Sequence, residues 1–356
     1  RRIVMKLKRY FLVFVLSTVL LGIPGITLSA QKRPTTVAEL ALYKGADRQQ
    51  ILEEGAKKEG KLIFYTVQTL KQPVRPLVNA YQKKYPYIKV EIWRGGSKLV
   101  PRLAEEYKSG RHVVDVITVS QHHRMVLEER GILQPFYSPE LAYIEEDVIK
   151  KAPGGGVFSA GHSINGRGLG YNTELITKDQ LPKSYQDLLD PKWKGKLAIA
   201  GGNAGINWIG NLLITYGEEF VRQIAKQNLD VHMASARAIL DMVIAGEYPF
   251  SPTIAESHAT FSKKLGAPVG WVPLEPAHCN LNQIVLPKHS AHPHAALLYI
   301  DLDLSKEAGA IYKTSGDRPT RKDVVNPKPY KTYFGPESTK QVMKWTKLFG
   351  ELFLKK

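Results

Sequence analysis

The strongest constraint on the fold is a rhythm. Short runs rich in β-branched and aromatic residues, "KLIFYTV", "IKVEIW" and "VVDVITV", begin at residues 61, 88 and 113. Each is followed by a stretch whose apolar residues recur at helical spacing. After the first run, Val74, Leu77, Val78 and Tyr81 share a face, with Pro73 tolerated in the opening turn. After the second, Leu99, Leu103 and Tyr107 share a face, and after the third comes "HRMVLEERG", closed by Gly131. Strands this apolar are those buried on both faces of a parallel sheet. The alternation predicts βαβ units. A further helix is expected over "RQQILEEGAKKE", capped by Asp47 and ended by Gly60.

A Gly-rich passage, "APGGGVFSAGHSINGRGLGYNT" at 152–173, interrupts the rhythm. It reads as a boundary that contains a strand. A second α/β block follows: strands at 195–201, 247–253 and 268–274, with helices at 206–217, over "FVRQIAKQN" and at 235–246. The chain then returns to strand at 282–288 and to a helix over "HPHAALLYIDLDLS". An amphipathic helix is expected at 337–354, with Val342, Trp345, Leu348, Phe349 and Leu352 on one stripe. The simplest architecture is α/β with two lobes, each a mainly parallel sheet flanked by helices, joined at crossings near 165–171 and 276–283. The first lobe would take 31–165 and 281–325, the second 166–280, and residues 326–356 would pack on the lobes as a helical tail.

The chain is long enough for about two domains and a full apolar core. Its first thirty residues read as a secretory signal. Arg1, Arg2, Lys6, Lys8 and Arg9 form a basic head, an apolar run follows and breaks at Pro24-Gly25, and Ser29 and Ala30 suit a cleavage site. The unbroken apolar run, Phe11 to Ile23, is shorter than the roughly 20 residues of a membrane span. Removing the leader's five basic residues takes the formal charge from +17 to +12. The remaining Lys and Arg are dispersed, with no dense basic block, so nucleic acid is not an expected partner. The one cysteine, Cys279, excludes an intrachain disulfide and a cysteine-based metal site. Secretion without disulfides fits a periplasmic or extracellular protein.

Enzyme signatures are absent: there is no G-x-x-x-x-G-K-[ST], H-E-x-x-H or C-x-x-C. "GHSIN" at 161–165 lacks the closing glycine of a nucleophile elbow. Ligands of open α/β sheets sit beyond the carboxyl ends of the strands. That rule nominates Thr66 and Gln68 after the first strand, Ser97 and Lys98 after the second, and Ser120 and Gln121 after the third. In the second lobe it nominates Asn203, Asn207, Thr253 and Glu256. Each could equally serve as a cap or turn residue. His122 and His123 are adjacent, so on a helix they diverge by about 100° and would not share an ion.

Several segments together resemble the extracellular solute-binding proteins of bacterial ABC importers, in the iron(III)-transport-type group. They are "AYQKKYPYIKVEIWRGGSKLVPRLAEEYKSG", "DVITVS", "LGYNTELI", "LPKSYQDLLDPKWKGKLAIAG", "GEYPFSPT", "GAPVGWVPLEP" and "HPHAALLYIDLDLSKEAG". The resemblance implies the type II periplasmic binding fold, hinge closure of two lobes over a solute, and delivery to a membrane permease. It implies a monomeric receptor without a cofactor rather than an enzyme. Gly166, Gly168 and Gly170 suit one hinge and "CNLNQ" the other. Ferric-binding members chelate iron with two adjacent tyrosines after the strand equivalent to "GEYPF". Here that region reads "SPTIAESHATF", with no tyrosine. The expected cargo is therefore a small polar or anionic solute, as the basic balance and Arg94, Lys98 and Arg102 suggest. A metal held by Glu256 and His258 is the alternative.

Overall fold

A computed structural model describes residues 33–324, 331–336 and 338–354; the expected signal segment, 1–30, lies outside the described residues, as do 326–330 of the tail. From Pro34 onward the chain clusters as one unit.

The rhythm of the sequence becomes a mixed sheet. Strands β1 (Lys61–Thr66), β2 (Lys89–Arg94) and β3 (Val116–Ser120) pair in parallel, β1 in the middle. Helices α1 (Val37–Ala41), α2 (Arg48–Glu59), α3 (Arg75–Lys84), α4 (Leu99–Lys108) and α5 (Gln121–Glu129) flank them. Gly60 ends α2 with a left-handed φ of +62, as a C-terminal glycine should. Asp47 starts that helix without a side-chain cap bond and instead accepts from Tyr43 Oη at 2.6 Å. Two short strands, β4 (Leu133–Gln134) and β5 (Ile149–Lys151), edge the sheet.

Two long strands then dominate the topology. β6 (Val157–Asn172) spans 16 residues. Further on, β7 (Ala198–Ala200) and β8 (Asp230–His232) form a small parallel pair, joined by helix α6 (Asn203–Lys226). Gly217 breaks α6 with a φ of +82. Helix α7 (Ala236–Ile244), strand β9 (Phe250–Ala255), helix α8 (Glu256–Lys264) and strand β10 (Val269–Val272) follow. β11 (Ala277–Pro287) is the second long strand. Its residues 279–284 run antiparallel to 160–166 of β6, and 282–285 pair with β3. The second half of β6 pairs antiparallel with β9 and β10. Among the described residues the parallel ladders are β1–β2, β1–β3, β7–β8 and a short one between the start of β11 and Thr332–Tyr333, while the long strands are antiparallel to their other neighbours.

The glycines of β6 answer a packing need rather than a turn. None of Gly166, Gly168 and Gly170 has a positive φ. A Cβ on Gly168 would collide with Val272 O, and one on Gly170 would lie 2.7 Å from Ile254 Cβ. Side-chain-free backbone is what lets β9 and β10 approach this strand from either side.

Apolar side chains gather on both sides of the long strands. Leu62, Phe64, Tyr81, Val116, Ile284 and Tyr299 belong to one group and Trp193, Ile199, Trp208, Leu212 and Phe250 to another. Helix α9 (Pro293–Asp303) covers the first group, and α10 (Lys306–Thr314) packs Ala308 and Tyr312 against Leu77 of α3. The last strands, β12 (Arg318–Pro319) and β13 (Thr332–Tyr333), pair with β6 and β11. Helix α11 (Thr339–Phe349) lays Leu348 and Phe349 on the second group. No helix among the described residues is long and apolar enough to cross a membrane.

Candidate functional site

The long strands carry polar side chains at alternate positions in an otherwise apolar setting. On β6 these are Ser163, Asn165 and Arg167; on β11 they are Asn280 and Asn282. Period two puts each set on one face. Register places Asn165 opposite Asn280 and Ser163 opposite Asn282, and Asn282 Nδ2 donates to Ser163 Oγ at 3.2 Å. This face floors a cavity of about 790 Å³.

The walls come from elements on either side of the crossing. Gln68 and Lys71 follow β1, and Arg94 ends β2. Ser235 and Arg237 begin α7; Ser257, His258 and Phe261 belong to α8; Ser315 and Asp317 follow α10. One lysine and three arginines therefore face a single carboxylate, that of Asp317. Arg94 Nε donates to Gln68 O at 2.9 Å, which seats it beside the cavity. Arg167 Nη1 donates to Thr253 O at 3.2 Å, and burial lowers its pKa to about 10. Arg237 is braced by Ser262 Oγ and Asp241 Oδ1, both at 2.7 Å.

Several polar atoms at this cavity are buried and lack a protein partner: Gln68 Nε2 and Oε1, Asn165 Oδ1 and His258 Nδ1. Groups left this way cost free energy unless something else satisfies them. His258 is held neutral. Burial first, then Arg167 and Arg237, lowers its pKa to about 4. Asp317 moves the other way: burial pushes its carboxyl up to about 7, against the pull of His162, Asn165 and Ser163.

Residues 76–335 match the bacterial extracellular solute-binding proteins. The chain belongs to that family. It is 26% identical over 243 residues to the iron uptake protein A1 of Synechocystis; the match spans 63% of this chain and 66% of that protein. The iron-bound HitA structure from Pseudomonas aeruginosa superposes with a TM-score of 0.66 at 21% identity, covering 82% of this chain and 99% of that one. AfuA from Actinobacillus pleuropneumoniae, solved with fructose-6-phosphate bound, gives 0.64 at 19%, covering 83% and 99%. These likenesses establish the type II periplasmic binding protein fold.

Within this solute-binding protein the nominated residues part ways. Gln68 and His258 line the cavity. Thr66 lies just behind it, bonded to Thr118 Oγ1 at 2.7 Å and capping Gln68 N at 2.9 Å. Thr253 is buried too: its Oγ1 accepts from Ala200 N at 3.3 Å, and its carbonyl anchors Arg167. Glu256 opens α8 beside the cavity, where its charge raises the pKa of Asp317 and Cys279. Ser120 Oγ pairs with His123 Nδ1 at 2.6 Å, and Gln121 Nε2 donates to Pro336 O at 3.0 Å. Lys98, Asn203 and Asn207 are not among the lining residues. Ser97 lies in the 3-10 turn Gly96–Lys98, and its side chain lies outside the described residues. Arg102 stacks on Trp93, 4.3 Å from the ring centroid, and pairs with Glu106, away from the site.

The residues that the strand-end rule passes over are Asn165, Arg167, Asn280, Asn282, Arg237 and Asp317. The first four sit within strands rather than after them. Their polar alternation in "SINGR" and "NLN" was the available signal.

Proposed function

We propose that this protein is the exported receptor of an ABC importer that captures a small organic anion in the cavity between β6, β11 and their flanking helices. The observation that carries the reading is the charge of the wall: Lys71, Arg94, Arg167 and Arg237 against one carboxylate, in a volume of about 790 Å³. Sites of this size take a metabolite rather than a bare ion. Arg94 and Arg167 would clamp the anionic group, since guanidinium forks match carboxylate and phosphate oxygens. Gln68 and Asn280 would complete its hydrogen bonds.

The β6–β11 pair would act as the hinge, because β6 runs from one apolar group to the other and β11 enters the first directly after Leu274 of the second. A solute drives closure only through contacts better made in the closed state. Residues 166–280 would move against 31–165 and 281–325, and the closed form would dock on the permease. Export fits the family and the basic, then apolar, leader.

A ferric cargo fits less well. No tyrosine lines the cavity, and no group of three His, Cys, Asp or Glu side chains gathers among the described residues. His258 faces two arginines, which oppose a cation. Cys279 does not suit a nucleophile's role: it is buried, and burial pushes its thiol up to about 12.

The test is thermal-shift and calorimetric titration against organic phosphates, phosphonates, carboxylates and Fe(III). Micromolar binding of an organic anion with no response to Fe(III) is expected. Stoichiometric Fe(III) binding with no anion response would overturn the reading.

A further inference from the structure

The cavity makes two opposite demands on its solute. Arg94, Arg167 and Arg237 ask for negative charge. Close by, Asn165 and Asp317 ask for a donor. Asn165 Nδ2 donates to Asp317 Oδ1 at 2.7 Å and to Ser257 Oγ at 2.5 Å. Above pH 7, where Asp317 is ionised, its carboxylate only accepts, so this bond fixes which way the amide points. Asn165 Oδ1 is then a buried acceptor with no donor from the protein. Asp317 Oδ2 is weakly served: the hydroxyl of Ser163 lies at 3.4 Å, the long limit of a hydrogen bond. Two adjacent acceptors on the wall therefore await a donor.

No Lys, Arg or His among the described residues forms an ion pair with Asp317. His162 and Arg167 on β6 approach it, as do Tyr312 on α10 and Glu256 on α8, and Arg318 is its chain neighbour. Arg318 is engaged with Glu145 at 2.8 Å and His162 with Asp303 at 2.5 Å. A plain anion would bring its charge beside this carboxylate and leave Asn165 Oδ1 unanswered. An anion with a hydroxyl or ammonium group would answer both.

We propose that Asp317, oriented by Asn165, is the specificity-determining residue, selecting anions that also carry a hydroxyl or ammonium donor over plain anions. This rests on the anion reading above. Negative selection of this kind works through the penalty on the wrong ligand as much as the gain from the right one.

Two matched pairs of probes test it by calorimetry: sorbitol 6-phosphate against n-hexyl phosphate, and gluconate against hexanoate. Chain length and head group are shared within each pair, and only the hydroxyls differ. The wild-type protein is expected to bind the hydroxylated member of at least one pair tenfold or more tightly. Asp317→Asn removes the charge at constant shape. It should cut that ratio at least fivefold, tightening the alkyl anion while weakening its hydroxylated partner. A wild-type ratio of one or less overturns the proposal, and so does an unchanged ratio in folded D317N. If D317N does not fold, the wild-type ratio decides. If none of the four probes binds, the anion reading itself falls, and this inference falls with it.

Discussion

Arg167 is a costly residue to keep. Its guanidinium sits in the crossing strand and donates to one backbone carbonyl, and burial alone lowers its pKa to about 10. Buried charge without a full set of partners destabilises a fold. Arg167→Gln should therefore weaken anion binding by about 1.5–3 kcal/mol, the worth of a hydrogen bond to a charged group, without lowering the melting temperature of the unliganded protein. Calorimetry and thermal melts on the same sample would check both halves. His258 and Asp317 give a second prediction at this scale. The carboxyl of Asp317 rises from 3.8 to about 7 on folding, so its stabilisation is full below pH 3.8 and is lost as pH rises through 7. The imidazole of His258 falls from 6.5 to about 4, so its stabilisation is present above pH 6.5 and is lost as pH falls through 4. Between pH 4 and 6.5 the two slopes oppose one another. Replacing one group unmasks the other: D317N should gain stability as pH rises through that window, and His258→Gln should lose it. The limit is about 1.4 kcal/mol per pH unit for one whole proton, read by urea melts at several pH values. Parallel trends in the two variants would sink this account. The strand-end rule reached Gln68 but passed over the arginine and asparagines in mid-strand. Which face of a strand meets a cavity depends on what packs against the other face, and that is a tertiary fact.

Most elements could be read from their own residues, since β1, β2, β3 and α2 are set by local periodicity and caps. Two things could not. Residues 157–172 looked like a boundary with a strand inside it, yet they form one continuous 16-residue strand. Its glycines suited a hinge, and a glycine is also what a strand needs where neighbours crowd it on both sides. Gly168→Ala should then destabilise the fold by about 1–3 kcal/mol through overpacking, because the new methyl meets the Val272 carbonyl, which cannot step aside. A chemical-denaturation midpoint unchanged from wild type would count against the close-approach reason. The second was the way two expected helices, 206–217 and "FVRQIAKQN", join into one element, Asn203–Lys226, that turns at Gly217. Its length makes a platform for the tail. Gly210 leaves room for the indole of Trp345, which is almost fully buried. Trp345→Ala should cost about 3–5 kcal/mol, as large-to-small changes of buried aromatics do.

At the scale of the whole molecule the two long strands join regions with separate apolar groups, and the cavity lies where the strands cross. Asn165 stands at that crossing and holds both Ser257 of α8 and Asp317 after α10. A solute that engages Asn165 and Asp317 together with Arg94 and Arg167 would draw on elements from either side at once. Bending at β6 and β11 is then the cheapest way to bring those groups onto one small anion, because it leaves each apolar group intact. Saturation at about 100 times Kd adds about 2.7 kcal/mol to the folded state. For a chain of this size that should raise the melting temperature by about 5 °C. Closure should also shrink the radius of gyration in solution scattering, by the same amount for any solute that melts later. R167Q at equal solute concentration should show both effects reduced, its stabilisation falling to about 0.3–1.3 kcal/mol. If a tightly bound anion raised the melting temperature yet left the scattering curve unchanged, capture would proceed without closure, and the crossing strands would be a rigid floor instead of a hinge.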